Sequence, residues 1–154
     1  SELDQDNEQL KSESGKVAFK EGDMVRAKSL LSKTGQGLRL AKFFNEVAIQ
    51  FVNSGDFKQG LETYDNARNL MEQSPILYKL TYNMGLAYEK SKDLEMAFKK
   101  FVEAYLQEPS FESPYKHIAK IYKERETSGV SIDPADVAKV KEAREKYKAL
   151  KTAS

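Results

Sequence analysis

The chain of 154 residues has no cysteine and a single histidine, His117. Without cysteine it can form neither a disulfide nor a thiolate zinc site, which fits a reducing compartment, so we expect a cytoplasmic location. One histidine excludes a histidine-rich metal site and a cysteine–histidine nucleophile pair. The carboxylates fall in no recognisable catalytic motif. We therefore expect no metal, no cofactor and no enzymatic activity.

An excess of charge of one sign is also missing. Lys and Arg number 25 and Asp and Glu 24, for a net charge of +1, so no overall field attracts nucleic acid or an anionic membrane. No apolar run approaches the roughly 20 residues that span a bilayer. Residues 35–37 (Gly-Gln-Gly) follow no strand and lack the lysine of a phosphate-binding loop. RNA-binding helical repeats usually carry far more positive charge. We predict neither nucleic acid nor membrane as a partner.

Three acid-bearing turns recur along the chain. Gly22-Asp23, Gly55-Asp56 and Lys92-Asp93 place their aspartates 33 and 37 residues apart, each between two amphipathic helical stretches. A period of about 34 residues, with two helices in each unit, is the signature of a stacked helical repeat. Such a unit cannot bury its apolar face alone, so neighbouring units stack into a solenoid with a concave binding surface. The sequence therefore predicts an all-α solenoid of about eight helices.

Apolar spacing and helix-capping residues locate the individual helices. We predict a charged helix over residues 1 to about 21 and a short helix after Asp23. Further helices are predicted over 38–52, after Asp56, over 76–89 and 94–106, through Ile118 and Tyr122, and over roughly 135–150. Residues 127–131 are expected to form a polar connection, followed by Asp133 as N-cap and Pro134 as the first residue of a capping helix. No stretch alternates long enough to predict a strand.

One unit carries a distinctive set of small and aromatic residues. Starting at Tyr78, they are Gly85, Tyr88, Ala97, Phe101 and Ala104, with Pro109 closing the unit. Gly85 and Ala97 remove side-chain bulk where two antiparallel helices come closest, and Phe101 fills the adjacent wedge. This pattern resembles the tetratricopeptide repeat (TPR) family, matching six of its eight signature positions. Residues 43–109 also resemble the TPR modules attached to some bacterial response regulators.

The resemblance implies a single domain over residues 1–154, built as a right-handed α-α superhelix with a C-terminal capping helix. Its units fall near residues 8–40, 41–77, 78–111 and 112–150. Because the first helix of each TPR unit lines the groove, the resemblance also implies a set of partner-binding residues. They are Lys42, Asn45, Ile49, Lys79, Tyr82, Asn83, Leu86, Lys116 and Lys120.

The implied groove grades from partly apolar to basic. Lys116, Lys120 and Lys123 stand at i, i+4 and i+7, so they share one helical face. This surface suits a peptide with acidic and apolar side chains. The competing interpretation is a solvated lysine face, with Tyr82 and Leu86 covered by a neighbouring helix. The basic clamp with which some TPR domains hold a C-terminal carboxylate is not expected, because only Asn83 matches it.

Two functions remain open at this stage. In the first, the chain is an adaptor or scaffold that binds a peptide or helix of a partner protein in its concave groove. In the second, it is a structural or regulatory domain of a larger signalling protein, acting by self-association or interdomain docking, which leaves a homodimer open. The sequence starts at Ser1 and not at Met, and we find no signal-peptide pattern in it, so we expect an excised domain or a processed form. A monomer with an open groove favours the first function, and a dimer that buries Ile49 or Tyr82 favours the second.

Overall fold

The computed structural model describes residues 37–153, and this part of the chain is all-helical, as predicted. It contains six helices and no strand: α1 (Gly37–Asn53), α2 (Phe57–Leu70), α3 (Leu77–Lys90), α4 (Leu94–Gln107), α5 (Ser113–Ser128) and α6 (Pro134–Ala153). The chain divides into two compact units, Ser1–Ile76 and Leu77–Ser154. The two helices predicted before residue 37 lie outside the described residues.

Helices α1 and α2 form an antiparallel hairpin in the first unit. The buried face of α1 follows the predicted helical period and consists of Leu40, Ala41, Phe43, Phe44, Val47, Ala48, Phe51 and Val52. Gly60 on α2 lies against this face. A Cβ atom added at Gly60 would lie 2.7 Å from Val52 Cγ2 and 3.3 Å from the Ala48 carbonyl oxygen. The glycine therefore allows the two helices to approach each other closely.

The turns that close the two hairpins share one backbone geometry. Gly55 (φ 88°) and Lys92 (φ 67°) both adopt the left-handed conformation, and Asp56 and Asp93 follow them. The N–H of each aspartate donates to the carbonyl five residues earlier, at 2.8 and 2.9 Å. The side chain of each then accepts the N–H three residues later, at 3.4 and 3.2 Å. Each turn thus ends one helix in a Schellman-type motif and caps the next.

Helix α4 is the central element of the second unit, because α3, α5 and α6 all pack against it. Gly85 on α3 faces Phe101 on α4, and an added Cβ would lie only 2.6 Å from Phe101 Cε1. Phe101 and Ala97 are fully buried, as the sequence pattern predicted. Thr81, a polar residue on the buried face of α3, is 1% exposed. Its hydroxyl donates to the Leu77 carbonyl at 3.1 Å, so this buried group is not left unpaired.

Helix α5 ends later than the sequence suggested. Residues 127 and 128, predicted to belong to a polar connection, continue the helix to Ser128. The Thr127 hydroxyl donates to the Glu124 carbonyl at 2.9 Å, which keeps this polar side chain within the helix. The helix ends instead at Gly129 (φ 72°), whose N–H donates to the Arg125 carbonyl at 3.0 Å. The left-handed glycine, rather than the polar composition, therefore sets the end of α5.

Helix α6 begins as predicted, with the Asp133 carboxylate accepting the Ala135 N–H at 2.9 Å. Val140 is its buried anchor in a cluster with Phe98, Phe101, Val102, Tyr105, Ile118 and Ile121. The guanidinium carbon of Arg144 (Cζ) lies 3.6 Å from the centroid of the Tyr115 ring. Its Nη1 forms an ion pair with Glu112 Oε2 at 3.2 Å. A lysine-rich helix is thus attached through a narrow apolar stripe and one arginine. Within residues 37–153, no helix combines the length and apolar character needed to cross a membrane.

Candidate functional site

The basic part of the predicted groove is an exposed row of lysines on α5. Ile118 and Ile121 bury the opposite side of the helix, so Lys116, Lys120 and Lys123 are turned to the surface. Within the described residues, none of the three lysines takes part in an ion pair. The three lysines therefore form a positively charged row on the surface of α5.

Helix α3 carries the other predicted groove residues of the second unit. Lys79 is exposed, whereas Tyr82, Asn83 and Leu86 are half-buried. Tyr82 and Leu86 pack against the apolar cluster of α4, α5 and α6. Both side chains are therefore partly covered by the packed helices and partly exposed.

A hydrogen-bonded triad joins α3 to α5 beside the lysine row. His117 Nδ1 lies 3.0 Å from Glu89 Oε2, and His117 Nε2 lies 3.2 Å from Tyr82 Oη. Both the histidine and the glutamate remain about a quarter exposed, at 25% and 24%. The triad is therefore reachable from solvent, and we refer to Tyr82, His117 and Glu89 as the Tyr–His–Glu triad.

The fully buried Phe101 supports this triad from below. The rings of His117 and Phe101 are stacked, with centroids 4.5 Å apart and an interplanar angle of 18°. The ring of Tyr82 packs against the same phenylalanine, with the two ring centroids 5.8 Å apart. Because Phe101 occupies the space that Gly85 leaves open, the absence of a side chain at Gly85 indirectly sets the position of His117.

Aromatic side chains border the triad at the start of α3. Phe111, in the connection before α5, meets Tyr82 edge to face at 5.1 Å and Tyr78 at 5.4 Å. Such edge-to-face pairs are the preferred aromatic geometry, so the three rings hold one another in place. The pKa of Tyr82 is raised above its ordinary value, chiefly by burial. A hydrogen bond with Ser113 opposes this increase, and the Glu89 carboxylate adds to it. The tyrosine is therefore protonated at neutral pH and can donate a hydrogen bond.

The remaining predicted groove residues lie on α1 in the first unit. Lys42 and Ile49 are exposed and Asn45 is half-buried. Ile49 keeps 36% of its surface accessible and Leu38, on the same helix, keeps 44%. The predicted residues of α1 thus form a mixed polar and apolar strip on their own unit.

The sequence patterns did not predict the contacts of His117 with Tyr82 and Glu89. A signal was present, because His117 follows Tyr82 by 35 residues, close to one repeat period of about 34. Residues one period apart occupy neighbouring first helices, where their side chains can meet. The bond between Glu89 and His117 depends on side-chain conformations that spacing does not specify.

Comparisons with known proteins give no family for this chain. No protein-family model matches it, and no solved structure matches it. One curated protein, a tyrosine–tRNA ligase of Rickettsia typhi (strain ATCC VR-144 / Wilmington), is 37% identical over 62 residues. That match covers 40% of this chain and 15% of the ligase. The chain therefore spans only a small part of the ligase, too little to assign it to that family, and the TPR resemblance depends on the repeat residues alone.

Proposed function

We propose that this chain is a TPR-type protein-interaction module that binds an acidic, partly apolar peptide or helix of a partner protein. The observation that carries the proposal is the row of Lys116, Lys120 and Lys123, exposed together on α5 without ion-pair partners in the described residues. Charge complementarity guides association and selects partners of opposite sign.

The apolar component of the proposal rests on the α3 side of the same unit. Leu86 and Tyr82 are half-buried, and Phe111 extends this partly exposed apolar surface toward the start of α5. A partner with apolar side chains next to acidic ones could contact both parts. Interfaces commonly combine an apolar centre with a charged rim in this way.

The finer structural part of the proposal is the right-handed superhelix of about eight helices implied by the TPR resemblance. The repeated hairpin geometry supports it, since the turns at Asp56 and Asp93 have matching dihedral angles and hydrogen bonds. In such a superhelix the module would act as a cytoplasmic adaptor or scaffold rather than as an enzyme.

The test is the double charge reversal Lys116→Glu with Lys120→Glu. The fold should survive, because exposed charges contribute little to stability, while affinity for an acidic partner should fall about tenfold or more and become less sensitive to salt. Partners captured by the parent protein would be compared with those captured by the variant, and the affinity of each would be measured at several salt concentrations.

A matched control is available on α6. Lys139→Glu with Lys141→Glu changes the net charge equally, and both lysines are exposed. If the two double variants lose binding alike, general electrostatic attraction explains the result and the α5 row is not the site. Retention of full binding by the α5 variant would also refute the proposal.

Self-association is the second candidate, favoured by two exposed apolar side chains on α1, Leu38 and Ile49. Leu38 and Ile49 are exposed on one helix of the first unit and are separated by three helical turns. Exposed apolar side chains on a common face are typical of protein contacts. Analytical ultracentrifugation of the parent and of Ile49→Glu decides between the candidates: a dimer that dissociates in the variant supports self-association, and a monomer in both supports the adaptor.

A further inference from the structure

Resting on this proposed function, a second property follows from the Tyr–His–Glu triad. We propose that His117 makes the binding of acidic partners pH-dependent, because protonating its ring adds a positive charge beside Lys116 and Lys120 and reverses the hydrogen bond to Tyr82. The site would then bind acidic peptides more tightly in mildly acidic than in mildly alkaline solution.

The first step is the hydrogen-bond direction when His117 is neutral. An ionised carboxylate can only accept, so the 3.0 Å bond to Glu89 Oε2 requires the proton on His117 Nδ1. Nε2 then carries only a lone pair, and Tyr82 must donate its hydroxyl proton across the 3.2 Å bond. The one donor of Tyr82 is therefore used inside the triad, and the hydrogen bond with Ser113 is one that the Tyr82 oxygen accepts.

The second step is what a proton on Nε2 changes. Both ring nitrogens become donors, so Tyr82 Oη must accept from His117. The tyrosine hydroxyl proton is then released and can be donated to a carbonyl or carboxylate of the partner. Protonation thus converts Tyr82 from an acceptor into a donor, which suits an acidic ligand.

The third step is whether the surroundings tolerate the added charge. Helix α3 presents the Glu89 carboxylate and the neutral Tyr82 hydroxyl to the ring, while α4 presents the uncharged ring of Phe101. Stacking on an aromatic face stabilises a cation. On its own helix, Lys116 and Lys120 oppose the charge, but both are exposed and screened by solvent. Glu89 and Phe101 are in direct contact with the ring, so protonation is accommodated.

Ring-nitrogen NMR tests the triad directly, because His117 is the only histidine and needs no assignment. We expect the neutral ring to carry its proton on Nδ1, and the charged ring that forms on acidification to carry a proton on both nitrogens. The Glu89→Gln variant should lose the preference for Nδ1. A neutral ring protonated on Nε2 in the parent protein would overturn the proposal, since Tyr82 would then not be the donor.

Binding is tested with a short, fluorescently labelled poly-L-aspartate as the probe. Its carboxylates, like those of free Asp, stay ionised between about pH 5.5 and 8, so a change in affinity reports on the protein. We expect the parent to bind about fivefold more tightly at the lower pH, corresponding to one hydrogen bond and one added charge. His117→Gln should abolish this difference, and Tyr82→Phe should reduce it. Thermal unfolding of each variant establishes that it is folded.

The outcomes separate this inference from the proposed function. Binding that depends on Lys116 and Lys120 but not on pH overturns the role of His117 and leaves the acidic-partner function standing. A pH effect that persists in His117→Gln assigns it to another group and also overturns the inference. If the parent does not bind poly-L-aspartate at either pH, the pH-dependent binding of acidic ligands is refuted, whereas the proposed function is judged separately by partner capture with the Lys116→Glu, Lys120→Glu variant.

Discussion

Gly85 determines the position of a phenylalanine that supports the candidate site. An added Cβ would lie 2.6 Å from Phe101 Cε1 and 2.7 Å from its Cδ1, closer than packed atoms tolerate. Phe101 cannot easily move, because it is fully buried and stacked on His117. A single methyl group at Gly85 would therefore disturb both the core and the ring that holds the triad.

We predict that Gly85→Ala lowers the free energy of unfolding by roughly 1–3 kcal/mol, the usual range for overpacking in a core. Phe101→Leu removes the ring that the new methyl group meets. Although that substitution is itself destabilising, Gly85→Ala should cost less in its presence. Urea denaturation of the two single variants and the double variant measures this coupling. Additive losses would show that Gly85 does not contact Phe101.

Lys92 is a second residue-scale feature, because it adopts a conformation that suits glycine better. Its φ of 67° matches that of Gly55 (88°) in the equivalent turn. For a residue with a Cβ, the left-handed region costs roughly 1–2 kcal/mol. Part of this cost is balanced in the unfolded chain, where lysine has less backbone freedom than glycine.

We predict that Lys92→Gly raises the free energy of unfolding by about 0.5–1 kcal/mol, and that Gly55→Lys lowers it by a similar amount. The two substitutions exchange the residues of equivalent turns, so each is the control for the other. Thermal and urea denaturation provide the measurement. A loss of stability in Lys92→Gly would mean that the lysine side chain makes a contact worth more than the backbone strain.

At the scale of elements, one arginine connects three parts of the second unit. Arg144 on α6 stacks on Tyr115 of α5, pairs with Glu112 immediately before α5, and donates to the Tyr105 hydroxyl of α4 at 3.4 Å. A guanidinium can stack and donate in its plane at the same time, which an ammonium cannot. With Val140 as the buried apolar anchor, α6 depends strongly on this side chain.

We predict that Arg144→Lys weakens the attachment of α6 by about 1–2 kcal/mol, because the charge remains but stacking and paired donation are lost. Hydrogen exchange should accelerate in α6 and remain unchanged in α3. Lys148→Ala on the exposed side of α6 is the control and should leave exchange as in the parent. Equal protection in Arg144→Lys and the parent would show that Val140 alone secures the helix.

Sequence reasoning located most helices of residues 37–153 but not the side-chain site. The helix predicted over 94–106 is observed as Leu94–Gln107. The agreement is close because the N-cap Asp93 and the helical period of the apolar residues are signals within the segment itself. The predicted end of α5 was wrong, because the Thr127 hydroxyl can donate a hydrogen bond to the Glu124 carbonyl within the helix. The bonds of His117 to Tyr82 and Glu89 could not be predicted, because they depend on the rotamers of residues 35 and 28 positions away.

At the scale of the whole molecule, a buried tyrosine makes the free energy of unfolding vary with pH in the alkaline range. Tyr64 is 2% exposed, and burial raises its pKa far above the ordinary value of 10.0. Above that value the unfolded chain releases the phenolic proton while the folded chain retains it. The native state then binds more protons, so stability must fall as the pH rises.

We predict that the free energy of unfolding declines above about pH 10 by roughly 1.4 kcal/mol per pH unit on account of Tyr64. Tyr64→Phe should remove this contribution to the slope. Tyr122→Phe is the matched control, because Tyr122 is 39% exposed and should contribute little. Urea denaturation across this alkaline range measures the slopes. Identical slopes in the Tyr64→Phe variant and the parent would mean that this hydroxyl ionises equally in both states.

The two hairpins differ in which helix carries the glycine, and this limits how the chain can be recombined. In the α1–α2 hairpin, the glycine at the close approach of the helices is Gly60 on the second helix, and the alanine is Ala48 on the first. In the α3–α4 hairpin, the glycine is Gly85 on the first helix, and the alanine is Ala97 on the second. A chimaera of α1 with α4 would place Ala48 where Gly85 normally stands, with its methyl group directed at Phe101. Exchange of α1 for α3 alone would therefore crowd Phe101, whereas exchange of the whole α1–α2 hairpin keeps Gly60 against Ala48.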